Sequence, residues 1–513
     1  MSTLRKLPIG IQTFSEIRES DYLYVDKTDQ VLRMVEQGKY YFLSRPRRFG
    51  KSLLVSTLQA LFEGRRPLFG GLAIDKHWDW SRKHPVIKIS FGGVARNLAE
   101  MKQDVVNILG ENQRRLGIAC PNPEDIGGSF KHLIMEARAK YGQKVVILVD
   151  EYDKLILDNL DQIEVAKEGR ELLRDLYATI KDSDEYLRFA FLTGVSKFSK
   201  VSVFSGLNNL KDISLSPDFA TICGYTQLDL ETTFADHLEG ADMAKVRQWY
   251  NGYNFLGEAV YNPFDILLFI DNHQVFENYW FATGTPTFLI KLIQKHNYYV
   301  PNLEDLKVSR SLIDSFDMDN IELEPILFQA GYLSIRSIEE TDFGREYRLK
   351  FPNREVAISF GDILIRYLTD ESNVLPRKKS LYQALKSVDL PGIEQTFRGL
   401  FASIPYTSYV NNRIGNYEGY YASVIYAYLT SLGLEMTAED ITSRGRIDLT
   451  IRLGETIYLL EFKVEGEGRA LEQIKARGYA EKYRHSGKEL ILLGIDFDPR
   501  QRNIERFEWE RAG

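Results

Sequence analysis

Residues 40–52 read YYFLSRPRRFGKS, and residues 145–153 read VVILVDEYD. The first stretch joins an apolar run, short enough for a buried strand, to a polar loop ending in Gly-Lys-Ser. The helix-period segment SLLVSTLQALF continues from it at 52–62. A phosphate-binding loop needs this strand, loop, helix order, because consecutive backbone N–H groups and the helix N-terminus must converge on one anion. In that reading Lys51 neutralises the β and γ phosphates, Ser52 ligates Mg²⁺ and Gly50 allows close backbone approach. The GxxxxGK[ST] pattern has its first glycine where this chain has Arg45. Pro46 stiffens the loop, Arg47 and Arg48 add charge, and Phe49 and Leu53 complete the segment expected to hold the nucleotide. A bare GKS also occurs by chance, so the second stretch matters. Its apolar strand ends in Asp150, placed to hold the cation's hydration shell, and Glu151, placed to activate the attacking water. The strand FAFLTG at 189–194 adds Thr193 as a sensor of the γ phosphate, with Ser196 beyond it. A strand capped by a Thr-Gly turn would give the same letters.

Working outward, the strands YYFLS, VIKISF (86–91), VVILVD and FAFLTG alternate with helix-period segments at 52–62, 104–116, 130–141 and 172–182. That alternation predicts an α/β domain with a largely parallel sheet and helices on both faces. After Gly224 the strand signal fades into aromatic-rich, mostly helical sequence. At 326–333 the segment ILFQAGYL runs into two short strands, YLSIR and YRLKF, separated by the polar tract SIEETDFGRE, the pattern of a winged helix. The basic, proline-containing NVLPRKKS at 373–380 is the linker candidate. The expected domains are therefore 1–224, 225–375 and 376–513. No internal repeat or low-complexity tract is found.

Near the C-terminus, RIDLTIRL (446–453) and TIYLLEFK (456–463) flank Gly454 and Glu455, a two-residue hairpin loop with glycine first. If Leu453 pairs with Thr456, Asp448 falls opposite Glu461, and Lys463 shares the face of Glu461. Two adjacent carboxylates repel unless a divalent cation with oxygen ligands, Mg²⁺ or Mn²⁺, offsets them. The lysine would then orient a water or stabilise charge on a phosphate during metal-assisted phosphodiester hydrolysis. A hairpin edge kept soluble by charges also reads as ExK. Three features favour the metal site: the tight SRGRI segment before Asp448, Glu418 at the start of the helix YEGYYASVIYAYL, and Gln473 on the helix after Lys463.

The chain has 513 residues, 44% apolar and 27% charged, the balance of a multidomain globular protein. A net charge of -7 argues against non-specific coating of nucleic acid, while leaving room for a local basic groove. The N-terminal MSTLRKLPIG lacks the apolar core of a signal peptide, and no stretch is apolar enough to span a bilayer, so the cytoplasm is the expected location with no membrane partner. Cys120 and Cys223 lack zinc-site or disulfide spacing and read as packed thiols.

The phrases LPIGIQTF (7–14), YLYVDKT (22–28), FLSRPRRFGKSLLVSTL (42–58), ILVDEYD (147–153), FLTGVSKFSKVSVFSGLNNL (191–210), WYNGYNF (249–255), VYNPF (260–264) and NYWFATGTPTFL (278–289) closely resemble the bacterial AAA-ATPase-like proteins that carry a C-terminal PD-(D/E)xK nuclease-like domain. The resemblance covers nearly the whole chain. It implies that RPRRFGKS is a family form of the P-loop, that Gly50, Lys51 and Ser52 contact ATP, and that Asp150 and Glu151 are the hydrolytic acids. It also matches Glu418, Asp448, Glu461 and Lys463 to a restriction-endonuclease-like α/β core, with Asp448 and Glu461 as metal ligands and Gln473 as the helix glutamine. A tyrosine four residues after that glutamine completes one version of the motif, but Arg477 stands there and Tyr479 comes later. The expected function is an ATP-regulated nuclease acting on DNA, with RNA and an oligomeric state left open and defence against foreign genetic elements as its context. The rival readings are a non-catalytic ATP-driven switch whose C-terminal fold only binds nucleic acid or a protein, and an ATPase remodeller.

Overall fold

In a computed structural model of the chain, the described residues are all except 1–3, 121, 199–206, 208, 281–292, 294–297, 315–320, 370–374, 406–417, 465–468 and 513. Most of FLTGVSKFSKVSVFSGLNNL after Phe198, and NYWFATGTPTFL after Trp280, thus lie outside the described residues. The chain forms two compact units, one of residues 1–280 and 308–348, the other of 281–307 and 349–513.

The first unit is built on a five-stranded sheet of β1 (Tyr40–Ser44), β2 (Val86–Ser90), β3 (Val145–Asp150), β4 (Leu187–Gly194) and β5 (Lys211–Asp212), in the order β2-β3-β4-β1-β5. Every pairing is parallel. The four strands expected from sequence are present, and β5 is an addition too short and polar to carry a signal. Residues of β1 and β3 are buried throughout, because helices cover the sheet and leave no solvated face to impose alternation. The covering helices are Lys51–Phe62, Leu98–Leu116, Ile126–Tyr141 and Ile163–Asp182. Asn97 and Asp125 cap two of them by accepting from backbone N–H groups at Glu100 and Gly128. A second core joins Leu23 and Val25 of the N-terminal segment to Leu230, Tyr250, Tyr261 and Phe269 of the aromatic-rich region.

The helix Leu323–Ala330 is followed by β7 (Ser334–Thr341) and β8 (Gly344–Lys350), and Leu306–Ser309 (β6) completes a sheet of order β6-β8-β7. The helix-plus-hairpin pattern holds, but the polar tract read as a long loop is strand. Only Asp342 and Phe343 turn the chain. Its polar residues extend the hairpin because they pair in charge, Arg345 with Glu340 at 3.2 Å and Arg348 with Glu339 at 2.7 Å.

In the second unit, β9 (Glu435–Thr442), β10 (Gly445–Leu453), β11 (Thr456–Val464), β12 (Glu489–Asp498) and β13 (Asn503–Ala512) form a mixed sheet, β13-β12-β11-β10-β9. Only β11 and β12 run parallel, joined through the helix Ala470–Arg477. The linker candidate is corrected: from residue 375 it is the start of the helix Leu375–Ser387, and 373 and 374 lie outside the described residues. Pro376 sits where a helix needs no N–H donor, and Lys378 is paired with Asp362 at 2.6 Å. Among the described residues, no helix is long and apolar enough to cross a membrane.

The helices Arg354–Thr369 and Glu418–Thr430 pack closely at Gly361, where an added Cβ would lie 2.6 Å from the Ala427 carbonyl oxygen and 2.7 Å from the Ser431 nitrogen. Gly361→Ala is expected to destabilise the protein by about 1–3 kcal/mol, whereas Gly399→Ala, on an open helix face, should be neutral or stabilising. Thermal unfolding of the two variants checks this, and equal midpoints would refute the packing argument.

Candidate functional site

The loop after β1 turns sharply into the helix Lys51–Phe62. Gly50 has φ +88° with nothing within 4 Å of its Cβ position, so backbone freedom, not space, selects glycine here. Arg48 adopts φ +69° without that freedom. The Lys51 ammonium is buried and donates to the carbonyls of Arg45 (2.9 Å) and Pro46 (2.8 Å). Burial lowers its pKa, opposed by the carboxylates of Asp150 and Asp153. Ser52 and Leu53 open the helix, and Arg47 and Arg48 are exposed. Arg45 is 1% exposed, and its guanidinium donates to the carbonyls of Ser44, Ser214 and Phe219. Burial pushes it down to about 10. Its side chain is therefore committed to the protein, and only its backbone is left to meet a nucleotide.

Strand β4 lies between β1 and β3, so the loop and the acidic strand end are separated by one strand. Asp150 is buried at the end of β3, paired in register with Ser90, and accepts the backbone N–H of Glu151. Glu151 takes φ +52°, and its carboxyl is raised by desolvation and by Asp150. A cavity of about 240 Å³, lined by Ser52, Ser56, Lys88, Ser90 and Asp150, opens beside these groups. Thr193 is fully buried and donates its hydroxyl to the Leu43 carbonyl at 2.7 Å. That proton thus fastens β4 to β1. Sequence reading missed Asp153, which is 1% exposed and accepts the backbone N–H groups of Val195 (3.0 Å) and Ser196 (2.6 Å), tying the exit of β4 to the acidic turn.

At the C-terminal site the hairpin register is the expected one: Leu453 pairs with Thr456, and the ladder runs on to Leu449 with Leu460. The next residues are Asp448 and Glu461, and Asp448 accepts the backbone N–H of Phe462 at 2.8 Å. Glu461 is 1% exposed. One carboxyl oxygen takes the Gln473 amide and the other is buried with no partner. Burial raises the pKa of both acids, and for Glu461 the Asp448 charge adds to it. Lys463 lies 3.2 Å from Glu418. Burial opposes its charge, but Glu418, Asp448 and Glu461 outweigh that and keep it protonated.

Four of the predicted residues thus gather round Glu461, namely Glu418, Asp448, Lys463 and Gln473. Tyr479 joins them: Gly478 (φ +60°) ends the helix and turns the chain so that the tyrosine comes near Gln473 and the charge of Glu461, a placement residue spacing does not show. Glu439 on β9 was also missed. It lies between the ladder pairs Ile447–Asp440 and Leu449–Ala438, opposite Asp448, at φ +50°. Its carboxylate accepts from Tyr299 (3.0 Å) and pairs with Arg446 (2.9 Å). Among the described residues no three or more His, Cys, Asp or Glu side chains are grouped closely enough to enclose a metal. The unpartnered Glu461 oxygen beside Asp448 nevertheless fits a cation of the Mg²⁺ type, which takes one or two carboxylates and completes its shell with water and phosphate.

A family model described as a predicted AAA-ATPase matches residues 8–204, and a model of the PD-(D/E)XK nuclease superfamily matches 416–507. A protein of Azotobacter chroococcum mcd 1, titled "Uncharacterized protein in vnfD 5'region", is 50% identical over 515 residues, covering 99% of this chain and 99% of that protein.

Asp153 gives a pH test. Burial raises its carboxyl from 3.8 to about 6, partly offset by the N–H groups it accepts. The folded state then holds this proton more tightly than the unfolded chain, so its contribution to stability is present at low pH and is lost as pH rises from about 4 to about 6. In Asp153→Asn that loss disappears, and the stability change between pH 4 and pH 7 should differ from wild type by up to about 3 kcal/mol. Urea unfolding at the two pH values measures it, and identical pH dependence would contradict the assignment.

Proposed function

From a chain that belongs to the AAA-ATPase-like family and carries a PD-(D/E)XK nuclease superfamily domain at its C-terminus, we propose an ATP-binding and ATP-hydrolysing protein whose second site cleaves phosphodiester bonds, with DNA as substrate. The observation that carries the nucleotide half is Lys51: a buried ammonium that donates to two loop carbonyls and feels the charge of Asp150, at the start of a helix. Lys51 leaves those carbonyls for the β and γ phosphates, and the amide hydrogens from Gly50 onward face the same anion. Ser52 and Asp150 would hold Mg²⁺, which supplies charge neutralisation across the phosphates. Glu151, whose carboxyl desolvation and Asp150 raise above its ordinary value, accepts a proton from the attacking water. We divide the chain into an ATPase domain at 1–224, a helical and winged-helix region at 225–375 and a nuclease-like domain at 376–513.

At the second site Asp448 and Glu461 would hold Mg²⁺ or Mn²⁺, whose chemistry is to polarise a phosphate and sharpen a water as nucleophile. Lys463, kept protonated by Glu418 and its neighbours, is a charge stabiliser for the departing oxygen and not a base. Gln473 fixes the Glu461 carboxylate, with Tyr479 close to both. Defence against foreign genetic elements is the context we favour for such a pairing of activities.

Lys51→Ala is expected to abolish nucleotide binding in calorimetric titration, and Glu151→Gln to bind ATP while losing turnover by a factor of about 10²–10⁴. Full turnover in Glu151→Gln would assign the water to another group. Nicking of supercoiled plasmid with Mg²⁺ should fall by orders of magnitude in Asp448→Ala. Equal nicking by variant and wild type would remove the nuclease and leave a nucleotide-driven switch.

A further inference from the structure

The P-loop of this chain is gripped from behind. The Phe255 ring lies under the Arg45 guanidinium, 3.9 Å from ring centroid to carbon. Phe49 is 1% exposed and meets Tyr253 and Phe255 edge to face at 4.8 and 5.9 Å between centroids. The Arg48 guanidinium sits 4.4 Å over Phe264. Pro46 abuts Gly331, whose φ is +91° and whose Cβ, if present, would lie 2.9 Å from the Pro46 Cβ. Four consecutive or near-consecutive residues of the loop, 45, 46, 48 and 49, thus each touch a segment about 200 to 285 positions downstream. Those two segments are fastened in turn: Tyr253 and Val260 bond each other through both backbone amides, and the Asn254 N–H donates to the Ser334 hydroxyl at the start of β7. The Lys197 N–H, in the segment after β4, donates to Gln329 at 2.9 Å.

We infer that Phe255 and Gly331, outside the 8–204 region matched by the ATPase family model, are positioning residues of the nucleotide site, holding the loop in its phosphate-ready shape through Arg45 and Pro46. This rests on the nucleotide reading given above. In a loop with glycine at its first position the backbone makes the turn unaided. Here a long cationic side chain occupies that position, and the loop conformation is specified by what the side chain grips. Arg45 has three carbonyl acceptors and one aromatic face. Removing the face leaves the charge bonded but no longer fixed in plane. Gly331 works by absence: any side chain there strains its own backbone and pushes Pro46 toward the phosphate side. A consequence follows for Arg45 itself, since restoring glycine would remove the anchor and weaken binding, although it restores the GxxxxGKS pattern.

The test uses the full chain and MgATPγS in calorimetric titration, with the thermal midpoint of each variant recorded separately. Phe255→Leu and Gly331→Ala should each weaken binding by about tenfold, and Phe255→Tyr, which keeps an aromatic face, should stay within about twofold. Gly344→Ala, at the hairpin turn with nothing within 4 Å, should bind as wild type. Arg45→Gly should bind more weakly than wild type. Addition of nucleotide to the wild type should slow amide exchange in 253–264 and 328–331, which a merely structural contact would not do. Wild-type affinity in Phe255→Leu and Gly331→Ala, or tighter binding by Arg45→Gly, would overturn the inference, as would unchanged exchange in both segments. If Arg45→Gly does not fold, the Phe255 and Gly331 variants decide alone. A wild type that binds no MgATPγS would instead remove the nucleotide reading, a result distinct from these.

Discussion

A guanidinium taken out of water must find acceptors for its donors or its burial costs several kcal/mol. Arg45 finds three main-chain carbonyls, two of them from a segment about 170 residues downstream. The arrangement of the nucleotide site follows from that demand. The guanidinium ties the end of β1 to the backbone at 214 and 219, and the same residue's carbonyl accepts from Lys51. One residue therefore anchors the loop with its side chain and restrains Lys51 with its backbone. On the other side of β4, Asp153 solves the matching problem for a buried anion, accepting two amide hydrogens just beyond the strand. The loop and the acidic turn are each fixed to the chain around them, which leaves Lys51, Ser52 and Asp150 held in place with capacity for a ligand.

The C-terminal site poses the same problem for a carboxylate. Glu461 has one satisfied carboxyl oxygen and one buried without a partner, beside a second carboxylate. In a site serving only stability, replacing the pair by apolar residues would cost nothing. An unsatisfied buried oxygen is a local loss of about 1–3 kcal/mol, which a bound cation would offset. Lys463 does not restore it, because its ammonium is spent on Glu418.

The sequence carried the parallel sheet, its order of strands and helices, and the carboxylate hairpin, because each depends on local periodicity or on a two-residue turn. The register from Leu453 and Thr456 back to Leu449 and Leu460 is fixed by that turn, so Asp448 and Glu461 could be paired from letters alone. What sequence did not carry is set by long-range geometry. Whether Arg45 faces phosphate or carbonyls depends on where residues 214 and 219 return. The acceptor that the Thr193 hydroxyl meets, the Leu43 carbonyl, lies 150 residues upstream on a neighbouring strand. Tyr479 fails a spacing rule measured along a helix, since Gly478 ends that helix and the tyrosine reaches Gln473 by a different path. The polar tract 337–346 reads as a loop by composition, yet its charges pair across two strands.

Nine non-glycine residues among those described take a positive φ, and three of them connect these points. Arg48, Glu151 and Glu439 have φ of +69°, +52° and +50°. None carries a sequence signal for that conformation, since arginine and glutamate gain nothing from it and each such residue costs of order 1–3 kcal/mol. All three stand at the groups singled out on chemical grounds: Arg48 in the phosphate loop, Glu151 directly after Asp150, Glu439 opposite Asp448 in the sheet. Strain of this size persists only where the surroundings over-determine it. Here the surroundings can be named: Phe264 over Arg48, the Asp150 carboxylate accepting the Glu151 amide, and Tyr299 with Arg446 on Glu439. Glu439 is the instructive case, because neither motif nor spacing pointed to it. Its backbone conformation sets its carboxylate against Tyr299 and Arg446 at the level of Asp448.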